Sequence, residues 1–305
     1  MAERVRITDV SPRDGLQNEP LRADGSAIPT ADKARLIHAL SQTGLDEIEV
    51  TSFVSPKWIP QLGDAAELCT LITRDKPLGL SMSALVPNER GMQALLDANA
   101  SVGLKLIDKT SVFTAASETF SAKNTNATID ETIERFRPIV PMARDHGLAL
   151  RGYVSCVIAC PFEGVVTPEA VLRVCHKLLE LGVDEIDLGD TIGAGCTETM
   201  AALLASVTSE IDPARLVLHL HDTFGRAAEC VRAALMLGVR SFDGSAAGLG
   251  GCPYASTDSN RAPGNIATDL LVRTIESEGY ETGVDLDKLA EASRVAQEIT
   301  AGAAK

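Results

Sequence analysis

Short β-branched runs, each followed by a longer helical pattern, recur along this 305-residue chain and predict an α/β fold. Their number predicts a closed (β/α)8 TIM barrel with extra C-terminal helices. Two further observations point the same way. No linker, low-complexity tract or composition break divides the sequence, so 1–305 reads as a single domain. The conspicuous polar residues also fall at the C-terminal ends of the expected strands, the face on which such barrels carry their chemistry. An open doubly wound sheet is the rival, and it would rarely need so many consecutive βα units.

The first strand is expected over 4–10, where Val5, Ile7 and Asp9 alternate with Arg6, Thr8 and Val10. It runs into SPRDGLQNE, in which Arg13 and Asp14 are held between Pro12 and Gly15. A helix over 30–43 leads to a strand over 46–51, near whose end stands Glu49. Helix 61–73, strand 79–86, helix 88–98 and strand 102–108 follow. The next helix, 127–145, opens on a capping box formed by Thr128 and Glu131. Strand 148–158 precedes helix 167–181, which has Pro168 in its first turn. Strand 184–188 runs on to Asp190, and helix 196–210 leads to strand 215–221, RLVLHLH. Helix 225–237 and strand 239–243 complete the repeats. A glycine loop at about 246–265 then precedes helices at 264–278 and 286–301, which can close or cap the barrel.

Composition bounds the function. With 45% hydrophobic and 23% charged residues the chain is globular, and its net charge of −14 argues against nucleic acid or an anionic membrane as partner. That charge leaves a small anionic substrate open, because such a molecule responds to the local field of a pocket. The seven cysteines show no CxxC pair or zinc-finger spacing, which suits reduced thiols. The N-terminal MAERVRITDV has neither an apolar signal core nor an Arg/Ser-rich presequence, and no apolar run is long enough to span a bilayer. A cytoplasmic protein is expected.

LVLHLHDTFG is the most informative segment. Positions i and i+2 of a strand share a face, so His219 and His221 project together and can give two imidazoles to one metal ion. The competing reading is a pair of hydrogen-bonded core histidines; the presence of only five histidines in the chain weighs against it. Asp14 and Asn265 are candidate oxygen ligands from neighbouring strand ends. Two imidazoles with oxygen donors suit octahedral Mg²⁺ or Mn²⁺ better than structural zinc. GLGGCPYA presents Cys252 behind Gly248, Gly250 and Gly251, and Pro253 stands where a dinucleotide fingerprint needs glycine. A mobile glycine loop carrying a thiol is one reading; a tight turn over a buried cysteine is the other. Glu49 and Asp190 are candidate carboxylates for orienting imidazoles or metal-bound water, or else helix caps.

Taken together, SPRDGLQNE, TSFVSPKWIPQLGD, AASETFSAKN, RGYVSCVIACPFEG, LGDTIG, HLHDTFG, GLGGCPYA and GNIATDLLV resemble the 3-hydroxy-3-methylglutaryl-CoA lyase family, within the metal-dependent TIM-barrel lyases and Claisen-type synthases. The motifs run in order from about residue 4 to 290. The resemblance implies metal-dependent cleavage of 3-hydroxy-3-methylglutaryl-CoA (HMG-CoA) to acetyl-CoA and acetoacetate, with Mg²⁺ or Mn²⁺. It implies Asp14, His219, His221 and Asn265 as metal ligands, Arg13 as the stabiliser of enolate charge, Cys252 as the general acid or base, and Asp14 or a metal-bound histidine such as His219 as the relay of the hydroxyl proton. Glu49 and Asp190 would support the site; Gln17, Thr191, Gly250 and Gly251, with Arg13, would border the acyl-CoA substrate. A homodimer or other homo-oligomer is also implied. The chain departs from the family pattern at Asp187 (usually Ser), Thr114 (usually Gly), Ala246 (usually Val) and an insert at 256–263 before Asn265. A related lyase, cleaving citramalyl-CoA or a longer-branched 3-hydroxyglutaryl-CoA, is the alternative.

Overall fold

The computed structural model describes residues 2–251 and 264–301. Eight parallel strands close into a barrel: β1 (Arg6–Asp9), β2 (Glu47–Ser52), β3 (Ser81–Leu85), β4 (Lys109–Ala115), β5 (Ala149–Ser155), β6 (Glu185–Asp190), β7 (Leu216–Leu220) and β8 (Ser241–Gly244). Each strand pairs with its neighbours in sequence, and β1 pairs with β8 to close the ring. Thr8 marks the closure, standing opposite Asp243 on one side and Glu47 on the other.

The helices form the outer layer: α1 (Thr30–Ser41), α2 (Ala65–Leu71), α3 (Glu89–Val102), α4 (Glu118–Thr125), α5 (Ile129–Phe136), α6 (Ile139–Asp145), α7 (Pro168–Leu181), α8 (Thr197–Thr208), α9 (Ala227–Met236), α10 (Thr268–Ser277) and α11 (Leu286–Ala301). Their apolar faces and the outward side chains of the strands make the main core, in which Ile7, Ile48, Val112, Leu150, Ile186 and Leu218 are fully buried. Helix α10 follows the last strand, and α11 buries Leu289, Ala292 and Ile299 while packing over α1. Among the described residues no helix is long and apolar enough to cross a membrane.

Three elements differ from expectation. The run 102–108 is not a strand: α3 continues to Val102, Gly103 caps it in the left-handed region (φ 70°), and β4 begins at Lys109. Leu106 and Ile107 are buried in the connection, where Ile107 and Asn99 hydrogen-bond each other. The true strand escapes a hydrophobicity reading because its inward positions are Lys109 and Ser111. The expected helix 127–145 is two, broken around Pro138, which has no N–H to continue the ladder. Its capping box does form: the Thr128 hydroxyl accepts the Glu131 N–H at 3.2 Å, and the Glu131 carboxylate accepts the Thr128 N–H at 2.7 Å. Helix α4 was not expected; the Ser117 hydroxyl starts it by accepting the Phe120 N–H.

The barrel interior is built of charge. Barrels of this kind are usually filled by bulky branched side chains. Here Lys109 Nζ lies 2.5 Å from Glu47 and 2.6 Å from Glu185, and Arg151 lies 2.7 Å from Glu185 and 3.2 Å from Asp243. Strand periodicity puts Glu49, Ser111, Tyr153 and Asp187 one step nearer the C-terminal mouth. The site rests on this polar floor.

Candidate active site

Strand β1 ends in a single π-helical turn, Ser11–Gly15, closed by the Gly15 N–H donating to Val10 O at 3.1 Å. Pro12 is compatible with the first turn because its missing N–H would be unpaired there. The turn drives Arg13 and Asp14 inward, to 6% and 9% exposure. Arg13 Nε donates to Glu49 at 2.6 Å and Nη1 to Asp14 at 2.8 Å. Burial would lower the Arg13 pKa, but the charges of Glu49 and Asp14 outweigh it and raise it, so the guanidinium is permanently charged. Burial would likewise raise Asp14; Arg13, His219 and His221 instead hold it well below the usual carboxylate range.

Three ligand-type atoms face one another at the barrel mouth. His219 Nε2 lies 3.8 Å and His221 Nε2 4.0 Å from Asp14 Oδ2. Ligand atoms of Asp14, His219 and His221 all fall within 4.8 Å of one another, and all three residues are buried. Asn265 completes the group: Nδ2 donates to Asp14 Oδ2 at 2.8 Å, while its buried Oδ1 has no hydrogen-bond partner among the described residues. An oxygen acceptor without a donor, beside a carboxylate and two imidazoles, is what a divalent cation would satisfy. The donor set therefore fits a metal. Burial and the neighbouring His219 push the His221 pKa down to about 4, leaving its ring neutral near pH 7, as a ligand must be.

A cavity of about 630 Å³ opens on this cluster, bordered by Arg13, Gln17, Phe113, Tyr153, Thr191 and Gly251 among others. Gln17 also donates to Asp14 at 2.6 Å, and the Thr191 hydroxyl accepts the Cys156 N–H at 2.8 Å. Gly250 (φ 110°) passes so close to the cluster that a Cβ there would lie 2.5 Å from Asn265 Nδ2 and 3.4 Å from Asp14 Oδ2. Glu49 orients the guanidinium rather than an imidazole; its other oxygen accepts Ser111 at 2.7 Å. Asp190 turns to its own loop, accepting the N–H groups of Ala194 and Gly195 at 3.0 and 2.7 Å. Cys252 and the insert 256–263 lie outside the described residues. Of the other departures from the family pattern, Thr114 faces α5, its hydroxyl 2.8 Å from that of Thr132, and Asp187 lies beside His219 and Asp243. Neither borders the cavity.

Sequence reasoning missed two neighbours of the site. Tyr153 donates to Glu49 at 3.2 Å, carries the Arg13 guanidinium 5.4 Å from its ring centre and meets His219 edge-on. Asp243 lies 3.2 Å from His219 Nδ1. Their only sequence signal was a polar residue at an inward strand position.

The family model described as HMGL-like matches residues 4–296. This chain belongs to the HMGL-like family. Its HMGL-like relatives include the mitochondrial hydroxymethylglutaryl-CoA lyase of Gallus gallus, 46% identical over 94% of this chain and 90% of that protein. The crystal structure of the HMG-CoA lyase from Brucella melitensis is similar at a TM-score of 0.88 and 45% identity, covering 98% of this chain and all of that one. A structure of an HMG-CoA lyase from Acinetobacter baumannii, in complex with coenzyme A and 3-methylmalate, is similar at 0.86 and 35% identity over 98% of this chain and 92% of that one. The HMGL-like family, the barrel and the carbon–carbon lyase class agree with one another.

Proposed function

We propose that this protein cleaves HMG-CoA to acetyl-CoA and acetoacetate, with Mg²⁺ or Mn²⁺ held by Asp14, His219, His221 and Asn265. The observation that carries the reading is the convergence of Asp14 and two imidazole nitrogens beside a buried arginine, at the mouth of a cavity. In the reaction the tertiary hydroxyl gives its proton to Asp14 or His219, the bond between C2 and C3 breaks, and its electron pair passes to the thioester as an enolate. Protonation of the α-carbon then releases acetyl-CoA, and the former carbinol carbon becomes the ketone of acetoacetate. A bound divalent cation supplies Lewis-acid polarisation of substrate oxygens.

Arg13 supplies fixed positive charge where the thioester oxygen becomes negative, and Glu49 and Tyr153 keep it aimed. Asp14, held ionised, can serve as a ligand near pH 7. We assign Cys252 the proton-transfer role from its place in GLGGCPYA; a free thiol, with a reference pKa of ~8.5, is a proton donor at neutral pH. Gln17, Thr191, Gly250 and Gly251 border the substrate, and Asp190 keeps the loop after β6 in shape. A homodimer or other homo-oligomer in the cytoplasm completes the reading; six described cysteines without a disulfide suit a reducing compartment.

The test is incubation of purified protein with HMG-CoA and Mg²⁺ or Mn²⁺. Metal-dependent acetoacetate is expected. Its absence, with pyruvate formed from citramalyl-CoA, would move the assignment to the related lyase.

A further inference from the structure

We propose that Asp243 is the positioning residue of the metal centre, fixing the ring of His219 so that Nε2 faces the cation. This rests on the metal reading above. Asp243 and His219 are direct partners in the β7–β8 register, so their inward side chains start side by side. Asp243 Oδ2 lies 3.2 Å from His219 Nδ1, and the opposite ring nitrogen faces Asp14. An imidazole bonded to a carboxylate through Nδ1 carries its hydrogen there. The Nε2 lone pair is then left for a metal.

Asp243 is itself clamped. Its other oxygen accepts Arg151 Nη1 at 3.2 Å, and Arg151 is tied through Nε to Glu185 at 2.7 Å. The carboxylate is 1% exposed, so water does not compete for the ring. The two histidines are therefore unequal: His221 has a backbone contact at Thr191, and among the described residues no carboxylate meets its Nδ1. Asp187, Asp243 and His219 also lie close enough to suggest a second cation site. Arg151 Nη1 stands 3.5 Å from Asp187 and 3.2 Å from Asp243, so a cation already occupies that space. The cluster orients a ligand; it does not hold a second ion.

The test is Mn²⁺ titration of the metal-stripped protein, read by the EPR signal of free Mn²⁺, with unfolding measured alongside. Asp243→Asn should weaken Mn²⁺ binding about 10–100-fold, the usual effect of losing a ligand's orienting partner. Glu185→Gln disturbs Arg151 without touching His219; it should lower stability and leave the Mn²⁺ Kd within about threefold. A folded Asp243→Asn that binds Mn²⁺ like the parent overturns the proposal. So does an equal loss in both variants, which would mean general loosening of the barrel floor. If Asp243→Asn does not fold, Asp243→Glu, which keeps the charge, should retain binding that Asp243→Ser loses; equal Kd values would overturn the proposal. A parent chain that binds no Mn²⁺ overturns the metal reading and this one with it.

Discussion

Arg13 has two jobs in one side chain. Its Nε and Nη1 hold Glu49 and Asp14, and its charge faces the cavity. From sequence, Arg13→Gln reads as a purely chemical lesion, lowering turnover ~10²–10³-fold as loss of an oxyanion donor does. The structure adds a second cost, because the variant leaves two buried carboxylates without their cation. Breaking such a pair costs about 3–5 kcal/mol. Arg13→Gln is therefore expected to lose turnover and also unfold at lower urea; activity within a few-fold of the parent would refute the role. That Asp14, His219, His221 and Asn265 would converge was legible, because they end strands or sit in dense motifs. Asp243, Arg151 and Tyr153 were not legible. They alternate with apolar residues inside strands, and only closure of the barrel makes their side of the strand an interior.

At the scale of elements, the sequence was most readable where local chemistry decides the structure. Thr128 and Glu131 cap α5 by mutual hydrogen bonds that need nothing from the rest of the fold. Thr128→Ala is expected to cost about 1 kcal/mol in urea unfolding, with activity per folded molecule unchanged. Strand β4 was misplaced for the opposite reason: Lys109 and Ser111 satisfy partners on other strands, which local hydrophobicity cannot reveal. The glycine loop lies between these cases. Its glycines were visible, but the need for Gly250 comes from Asn265 and Asp14 pressing against it. Gly250→Ala should displace Asn265 and lower turnover on the order of 10²-fold, as small misplacements of reacting groups do. An alanine variant with parental kinetics and Mn²⁺ affinity would show that the loop has room to move.

At the scale of the whole molecule, the barrel trades an apolar centre for a network of Glu47, Lys109, Arg151, Glu185 and Asp243 beneath the candidate site. The network makes the centre electrostatic where the helix layer is hydrophobic. Glu185 isolates that property. Burial alone would raise its pKa, but Arg151 and Lys109 override burial and hold it well below the usual range. The folded protein therefore keeps this carboxylate ionised at a pH where the unfolded chain has bound a proton, near ~4.3. Above that pH the full stabilisation is present; it drains away as pH falls through the folded value. Glu185→Gln should thus be destabilised by about 3–5 kcal/mol at pH 7, the cost of breaking a buried pair. Urea midpoints of parent and variant should converge as pH falls below about 4.3. Taking the difference between the two proteins cancels the other titrating groups, several of which shift the opposite way. A gap that stays constant from pH 7 to 3.5 would mean that Glu185 contributes shape rather than charge, and that the barrel floor is held by packing after all.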